Sequence, residues 1–299
     1  MISTNDIIQN ALREGIVVPG FNIPYLPMME PVVRALADTN TVGLIMVARL
    51  EWIKFQSQSV KAVRDEYRKV KNEKVTRLHL DHIPVIDEDN LRVKYRDIIA
   101  EALDLGYESV MIDGSRLSLE ENINVTREIT ELARPYHVPV EAELGAVLGH
   151  EAGPLPPYEE LFASGKGFTS PEEAKRFVAE TNVDWLSVAI GNIHGAVSKA
   201  KKNDRKVEAR LNIEHLKQIY DDVNVPLVLH GGTGIRKEYI LRSIRNGIAK
   251  INIATAIRQP YEKWMNESVH KAQAAVYDEM LRIVHEELEI AGSAERIAT

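Results

Sequence analysis

At 299 residues the chain is long enough to bury a large core without staples, and with no cysteine it can hold neither a disulfide framework nor a thiolate metal site. A formal charge of −7 and a pI near 5.8 speak against a nucleic-acid partner, whose footprint is a basic face. No apolar run approaches the roughly 20 residues that span a bilayer, so no membrane partner is expected.

The opening residues, Met1-Ile2-Ser3-Thr4-Asn5-Asp6, lack the charged and apolar regions of a signal peptide. Together with the missing cysteine this gives a cytoplasmic expectation. From there one rhythm repeats: short β-branched runs alternate with longer amphipathic stretches. Strands are expected over residues 16–22, 42–48, 75–81, 109–113, 138–144, 185–190, 226–230 and 249–254. Helices are expected over 29–39, 91–105, 120–134, 172–180, 213–222 and 239–246, with one or two more in a tail from about 261 to 289. Ser170-Pro171-Glu172-Glu173 is a helix start, with a cap residue, an early proline and acids in the first turn. Eight strands with intervening helices match a (β/α)8 TIM barrel with extra C-terminal helices, in a single domain over 1–299. An open doubly wound sheet is the alternative. Its first strand is usually followed by a glycine fingerprint, and Gly20-Phe21-Asn22-Ile23-Pro24 is not one.

Barrel enzymes place their chemistry at the C-terminal ends of the strands. Here those ends carry Asn22, Asp81-His82, Asp113-Gly114-Ser115, Glu141-Ala142-Glu143, Gly191-Asn192-Ile193-His194-Gly195, His230-Gly231-Gly232-Thr233-Gly234 and Asn252-Ile253-Ala254-Thr255. Any one of these histidines alone reads as a hydrogen-bonded packing residue. Three on one rim, joined by carboxylates, point instead to a metal site of the three-ligand, open-position kind. The turns after the seventh and eighth strands offer backbone N–H groups where barrels habitually bind phosphate.

These residues carry a resemblance. "GFNIP", "LHLDH", "SVMIDGS", "VEAELG", "VAIGNIHG", "LVLHGGTG", "KINIAT" and "AGSAERI" run in the order of the class II, zinc-dependent ketose-bisphosphate aldolases, over nearly the whole chain. The resemblance implies that His82, His194 and His230 bind Zn²⁺, with Co²⁺ or Mn²⁺ as substitutes, and that Asp113 and Glu143 serve a second or alternate metal position. It implies that Asp81 is the acid/base aspartate and that Glu151 moves the proton at the enediol carbon. Gly195, Gly231, Thr233 and Thr255 match the cradle for the phosphate of dihydroxyacetone phosphate, with Asn22, Asn252 and Ala254 beside the substrate. A monovalent cation, Na⁺ or K⁺, near that phosphate and a homodimer or homotetramer are further implications. The default reaction is reversible cleavage of fructose or tagatose 1,6-bisphosphate to dihydroxyacetone phosphate and glyceraldehyde 3-phosphate.

Retro-aldol cleavage leaves a carbanion beside a carbonyl, which a lysine Schiff base or a metal ion can stabilise. The sixth strand holds no lysine, and Lys250, read as opening the eighth, is expected at the wrong end of the barrel in a solvated or packing role. The segment 145–170, with Pro154, Pro156 and Pro157, is long enough for a lid carrying Glu151. His79 shares a strand face with Asp81 and is expected to bond a carboxylate. His150 is read as a solvated loop residue, and His137, His215, His270 and His285 as surface residues. The basic run 199–206 is read as a solvated loop that could draw in anionic substrate.

The departures from the family pattern cluster. Ala48 stands where a serine or threonine helps hold the far phosphate, with Arg49 beside it. The family's Asp-Pro-Arg element, whose arginine reaches that phosphate in a neighbouring subunit, is not visible in 267–277, and Ile83-Pro84 follows "LDH". These changes open a second expectation, a ketose 1-phosphate with a differently charged or uncharged tail recognised by Arg49. A metal-dependent barrel isomerase or hydrolase, and a silent binding protein on the same scaffold, are the readings from other classes.

Overall fold

A computed structural model describes residues 2–147, 157–193 and 209–299. Eight strands form a closed parallel barrel in sequence order: β1 Val18–Asn22, β2 Gly43–Ala48, β3 Thr76–Pro84, β4 Ser109–Asp113, β5 Val140–Leu144, β6 Trp185–Val188, β7 Leu227–Leu229 and β8 Ile248–Ile253. β8 pairs back onto β1, with Gly20 opposite Asn252. The strands are buried on both faces, which is why they read as near-continuous apolar runs in the sequence.

The expected helices form, with ends shifted by up to a turn. The clearest shift is the expected 91–105 helix, which runs over Tyr95–Leu105. The residues before it fold into a short turn bridged Ile86 to Arg92, and Asp87 Oδ1 accepts the N–H groups of Asp89 and Leu91. Thr4–Glu14, Arg49–Lys54, Val60–Val70 and Tyr158–Ser164 are helices besides those the sequence reading named. Ser3 caps the first of these, and Asn5 accepts the indole N–H of Trp185, which ties that helix to β6. Tyr158–Ser164 lies inside the segment read as a lid. Beyond β8, Thr255–Trp264 packs against Val269–Arg282, the expected C-terminal addition.

Two features place side chains at the barrel mouth. The register of β3 against β4 shifts between Leu80 and Ile83, and within that bulge His82 adopts a left-handed φ of 40°. Consecutive strand residues normally face opposite sides, and the bulge re-aims this pair. β3 therefore does not end at Asp81, as expected, but continues to Pro84. Gly114 is the second feature: a Cβ there would lie 2.2 Å from Oδ1 of Asn122. The glycine lets Asn122 reach across to donate to the Glu143 backbone carbonyl at 2.9 Å, which ties helix Leu119–Ala133 to the mouth end of β5.

Candidate active site

Many TIM barrels fill their interior with layers of branched apolar side chains. This barrel puts His79, Glu141 and Lys250 there instead, all fully buried. Above them stand Asp81, Asn22, Asn252, Glu143 and His230, each at most 6% exposed, with the ring of His82 at the opening.

Asp81 is held from two sides. Asn22 Nδ2 donates to its Oδ2 and Asn252 Nδ2 to its Oδ1, both at 2.9 Å. Burial opposes its charge, but His82, Lys250, His230 and His79 outweigh that and hold the carboxyl below the usual carboxylate range. The carboxylate is therefore held ionised with both oxygens fixed.

The imidazoles of His82 and His230 face each other, Nε2 to Nδ1, at 2.8 Å. Glu143 Oε2 lies 3.2 Å from that His230 nitrogen and 3.9 Å from that of His82. Burial, then Asp113, raises the Glu143 carboxyl, and its Oε2 makes no well-aligned hydrogen bond. These three ligand atoms lie within 4.8 Å of one another. Two imidazoles and a buried carboxyl oxygen without a well-aligned hydrogen bond are a donor set that fits a divalent cation such as Zn²⁺. His194, the third expected ligand, lies outside the described residues, as do Glu151, His150, Gly195 and the basic run.

Asp113, expected at a second or alternate metal position, lies beside this cluster. Its Oδ2 lies 3.4 Å from His82 Nδ1, on the other side of the ring from Glu143 and His230, and among the described residues it does not join that cluster. Ser115 donates to Asp113 Oδ1 through its N–H at 2.9 Å and its hydroxyl at 2.6 Å. Burial opposes the Asp113 charge, yet His82 and Ser115 bring it down to about 2. Burial likewise opposes protonation of His82, but Asp113, Asp81 and Glu143 push it up to about 10. Asp113 thus sits against the His82 ring, a placement that carboxylates behind metal-ligating histidines commonly take.

A second group, His79, Asp81 and Glu141, also converges. It already has its cation: Lys250 Nζ lies 2.8 Å from Glu141 Oε2. This corrects the expectation for Lys250, which sits in mid-strand, fully buried, and donates to Asn252 Oδ1 at 2.6 Å. Glu141 Oε1 lies 2.8 Å from His230 Nε2. Burial opposes the Glu141 charge, but Lys250, His230 and His79 bring it to about 2. His79 departs from expectation as well. Its Nδ1 pairs with the Ser109 hydroxyl at 2.8 Å, while its Nε2 stays 3.7 Å from Glu141 and 3.8 Å from Asp81, and burial, then Lys250, lowers it to about 3.

The places of Glu141 and Lys250 inside the barrel were legible by alternation. Period two puts Glu141 on the face of Glu143, and Lys250 on that of Asn252. A third, Glu51, lies on helix Arg49–Lys54 with no strand pattern to place it. It is buried, accepts the Ala48 N–H at 2.8 Å, and is pushed up to about 8 by burial. Of the remaining histidines, His137, His270 and His285 are exposed as expected, but His215 is half-buried and pairs with the Thr169 carbonyl at 2.7 Å.

At the turns after β7 and β8, Gly231 has a left-handed φ of 66° and Gly232 N–H donates to the Asn252 carbonyl at 3.0 Å. Thr233 Oγ1 accepts from Ala256 N–H in the first turn of Thr255–Trp264, at 3.3 Å. Ala254 precedes that helix and offers only backbone. Arg49 is half-buried at the start of its helix and pairs with Asp87 at 3.3 Å.

Residues 2–296 match the family of class-II fructose-bisphosphate aldolases. The YdjI aldolase from Escherichia coli K12 is similar in structure, at 27% identity and a TM-score of 0.76, covering 98% of this chain and 100% of that one. So is a putative fructose-1,6-bisphosphate aldolase from Coccidioides immitis, at 27% identity and a TM-score of 0.75, covering 97% and 96%. The fructose-bisphosphate aldolase of Campylobacter jejuni, at 18% identity and a TM-score of 0.72 over 97% and 96% of the two chains, shares the fold. The chain belongs to the class-II fructose-bisphosphate aldolase family.

Proposed function

We propose that the protein cleaves a phosphorylated ketose, reversibly and with a bound divalent metal, to dihydroxyacetone phosphate and an aldehyde. The observation that carries this is the convergence of His82, His230 and Glu143 beside an Asp81 already held ionised. A metal ion held by those residues, with His194, would supply Lewis-acid polarisation of the ketose oxygens. Asp81, fixed by Asn22 and Asn252, takes the proton from the hydroxyl of the cleaved carbon–carbon bond. Glu151 returns a proton to the three-carbon product, in keeping with its family match. The turn of Gly231 and Thr233 against the helix start at Thr255 suits the phosphate of that product.

A Schiff base at Lys250 is the competing chemistry, because its amine is buried in the barrel. The pairing opposes it. The Lys250 nitrogen has no exposed surface and is tied to the Glu141 carboxylate at 2.8 Å and to Asn252 Oδ1 at 2.6 Å, rather than free to meet a substrate carbonyl. Exhaustive chelation should therefore abolish cleavage, Zn²⁺ or Co²⁺ should restore it, and borohydride with substrate should trap no adduct. Activity that survives chelation, or an adduct on Lys250, overturns the metal route.

The aldehyde half supports a second reading of the substrate. Ala48 has no hydroxyl, and the Arg49 guanidinium is engaged by Asp87. A dianionic phosphate needs several charge-assisted bonds, and Arg49 is already shared with Asp87. We therefore rank a ketose 1-phosphate with a different tail beside fructose and tagatose 1,6-bisphosphate. Comparing kcat/KM for both bisphosphates and for fructose 1-phosphate, in the wild type and in Arg49→Ala, decides between them. Bisphosphates favoured by orders of magnitude, with no effect of Arg49→Ala, would reject the second reading.

A further inference from the structure

The metal-side histidine and the base-side aspartate are joined through a single buried cation. Lys250 Nζ contacts Glu141 Oε2 at 2.8 Å and donates to Asn252 Oδ1 at 2.6 Å. From Glu141 the chain of contacts continues through Oε1 to His230 Nε2 at 2.8 Å. From Asn252 it continues through Nδ2 to Asp81 Oδ1 at 2.9 Å. Lys250 and Glu141 have no exposed surface, and Asn252 has 6%.

An ammonium has donors and no acceptor. The Asn252 atom facing Lys250 must then be its carbonyl oxygen, which leaves the amide NH₂ for Asp81. With the roles of the amide reversed, two donors would meet at Lys250 and two acceptors at Asp81. On the other arm, Lys250 engages one oxygen of Glu141 and leaves the second to accept from His230 Nε2–H. In the neutral imidazole that assignment leaves the Nδ1 lone pair facing His82 Nε2 and Glu143 Oε2, the side on which the donor set converges. One fixed cation thus sets an amide orientation and a tautomer together.

We infer that Lys250 is a positioning residue that serves both halves of the reaction, holding Asn252 so that it aims Asp81 and holding Glu141 so that His230 presents Nδ1 to the metal. The inference rests on the metal-dependent reading proposed above. It assigns the buried lysine a task other than Schiff-base chemistry or charge neutralisation. Glu141 and Lys250 are then needed as a pair with a direction, which their opposite charges alone would not require.

The test compares Lys250→Met, Glu141→Gln and the charge-balanced double variant Lys250→Met/Glu141→Gln in the metal-stripped full-length protein, with folding checked by circular dichroism. Zinc affinity is read by competition with a chromogenic chelator. kcat and KM are read at saturating zinc with the best substrate among fructose 1,6-bisphosphate, tagatose 1,6-bisphosphate and fructose 1-phosphate. The double variant, which buries no net charge and remains informative where Lys250→Met fails to fold, should bind zinc about 10–100-fold more weakly. Its kcat should fall about 10²-fold with KM little changed, the signature of a misaimed base. Glu141→Gln keeps the Lys250–Asn252 contact, so its kcat should fall less than that of the double variant. A folded double variant with wild-type zinc affinity and kcat would show that Lys250 merely neutralises Glu141, and loss of one property without the other would equally overturn the shared role. A wild-type protein that takes up no zinc refutes the metal reading itself, and this inference with it; that result is distinct from zinc uptake unaffected by the variants.

Discussion

Single residues here do their work through the partners that fix them. Asp81 receives an amide on each oxygen, so Asp81→Ala removes the proposed base and leaves both amides without that acceptor. Cleavage should drop by about 10²–10⁴-fold, the range for a lost general base, while proton exchange on dihydroxyacetone phosphate persists. Equal loss of both activities in a variant that still binds metal would mean Asp81 is not the cleavage base. Glu51 gives a residue-scale effect on stability. Burial raises its folded pKa to about 8 from an ordinary 4.5, so the fold favours the neutral form. Its contribution is present at low pH and is lost as pH climbs from the ordinary value through about 8. Glu51→Gln keeps an acceptor for the Ala48 N–H and cannot ionise. Measured on metal-free protein, it should be neutral in Tm at acid pH and stabilising above pH ~8; the same Tm difference at both ends would refute the buried-acid account. The sequence reading found Asp81 because a carboxylate at a strand end is conspicuous. It missed Glu51 because a six-residue helix offers no period by which to judge which side is buried.

Elements explain both what the sequence revealed and what it hid. The strand order and the parallel barrel follow from apolar runs spaced by amphipathic ones, and six of the eight strands fall within their expected segments, the exceptions being the longer β3 and β8, which starts one residue early. That strand is where pattern reading fails, since a bulge has no marker in "LHLDHIP" and the left-handed His82 is not a glycine. Lys250 was misplaced for the related reason that the start of β8 was set a residue late, at 249 rather than Ile248. With Val18 as its opposite number on β1, Lys250 lies inside the sheet. The Asn122 bridge tests how far an element beyond the barrel wall supports the site. Its amide is buried and donates to the carbonyl of Glu143. Asn122→Leu leaves that carbonyl unpaired and should cost about 1–3 kcal/mol in denaturant unfolding. It should also weaken zinc binding through Glu143. A variant with wild-type stability and affinity would show that helix Leu119–Ala133 does not hold the mouth of β5.

At the scale of the whole molecule, the candidate metal ligands draw together strands far apart in sequence. His82 belongs to β3 and Glu143 to β5, while His230 directly follows β7. An ion bound to all three closes loops across more than half the barrel, and it binds the folded chain in preference to the unfolded one. At a hundredfold excess over Kd the linkage amounts to about 2.7 kcal/mol of added stability. The size of that gain should depend on pH. In the metal-free protein His82 is raised to about 10, because Asp113, Asp81 and Glu143 outweigh the burial that opposes its charge, and His230 is raised too. The stability contributed by a raised histidine is fully present below its ordinary value near 6.5 and is lost as pH rises through the folded value. Metal-free Tm should therefore decline from near-neutral to alkaline pH. Zinc must displace those protons to bind, so its affinity grows over the same interval. The rise in Tm on adding zinc should thus be small at about pH 6 and larger at about pH 9, leaving the zinc-loaded protein nearly flat with pH. Thermal melts of stripped and reloaded protein at both pH values measure this directly. An increment that is the same at both would mean that the protons on His82 and His230 do not compete with the metal, and that the ion binds elsewhere.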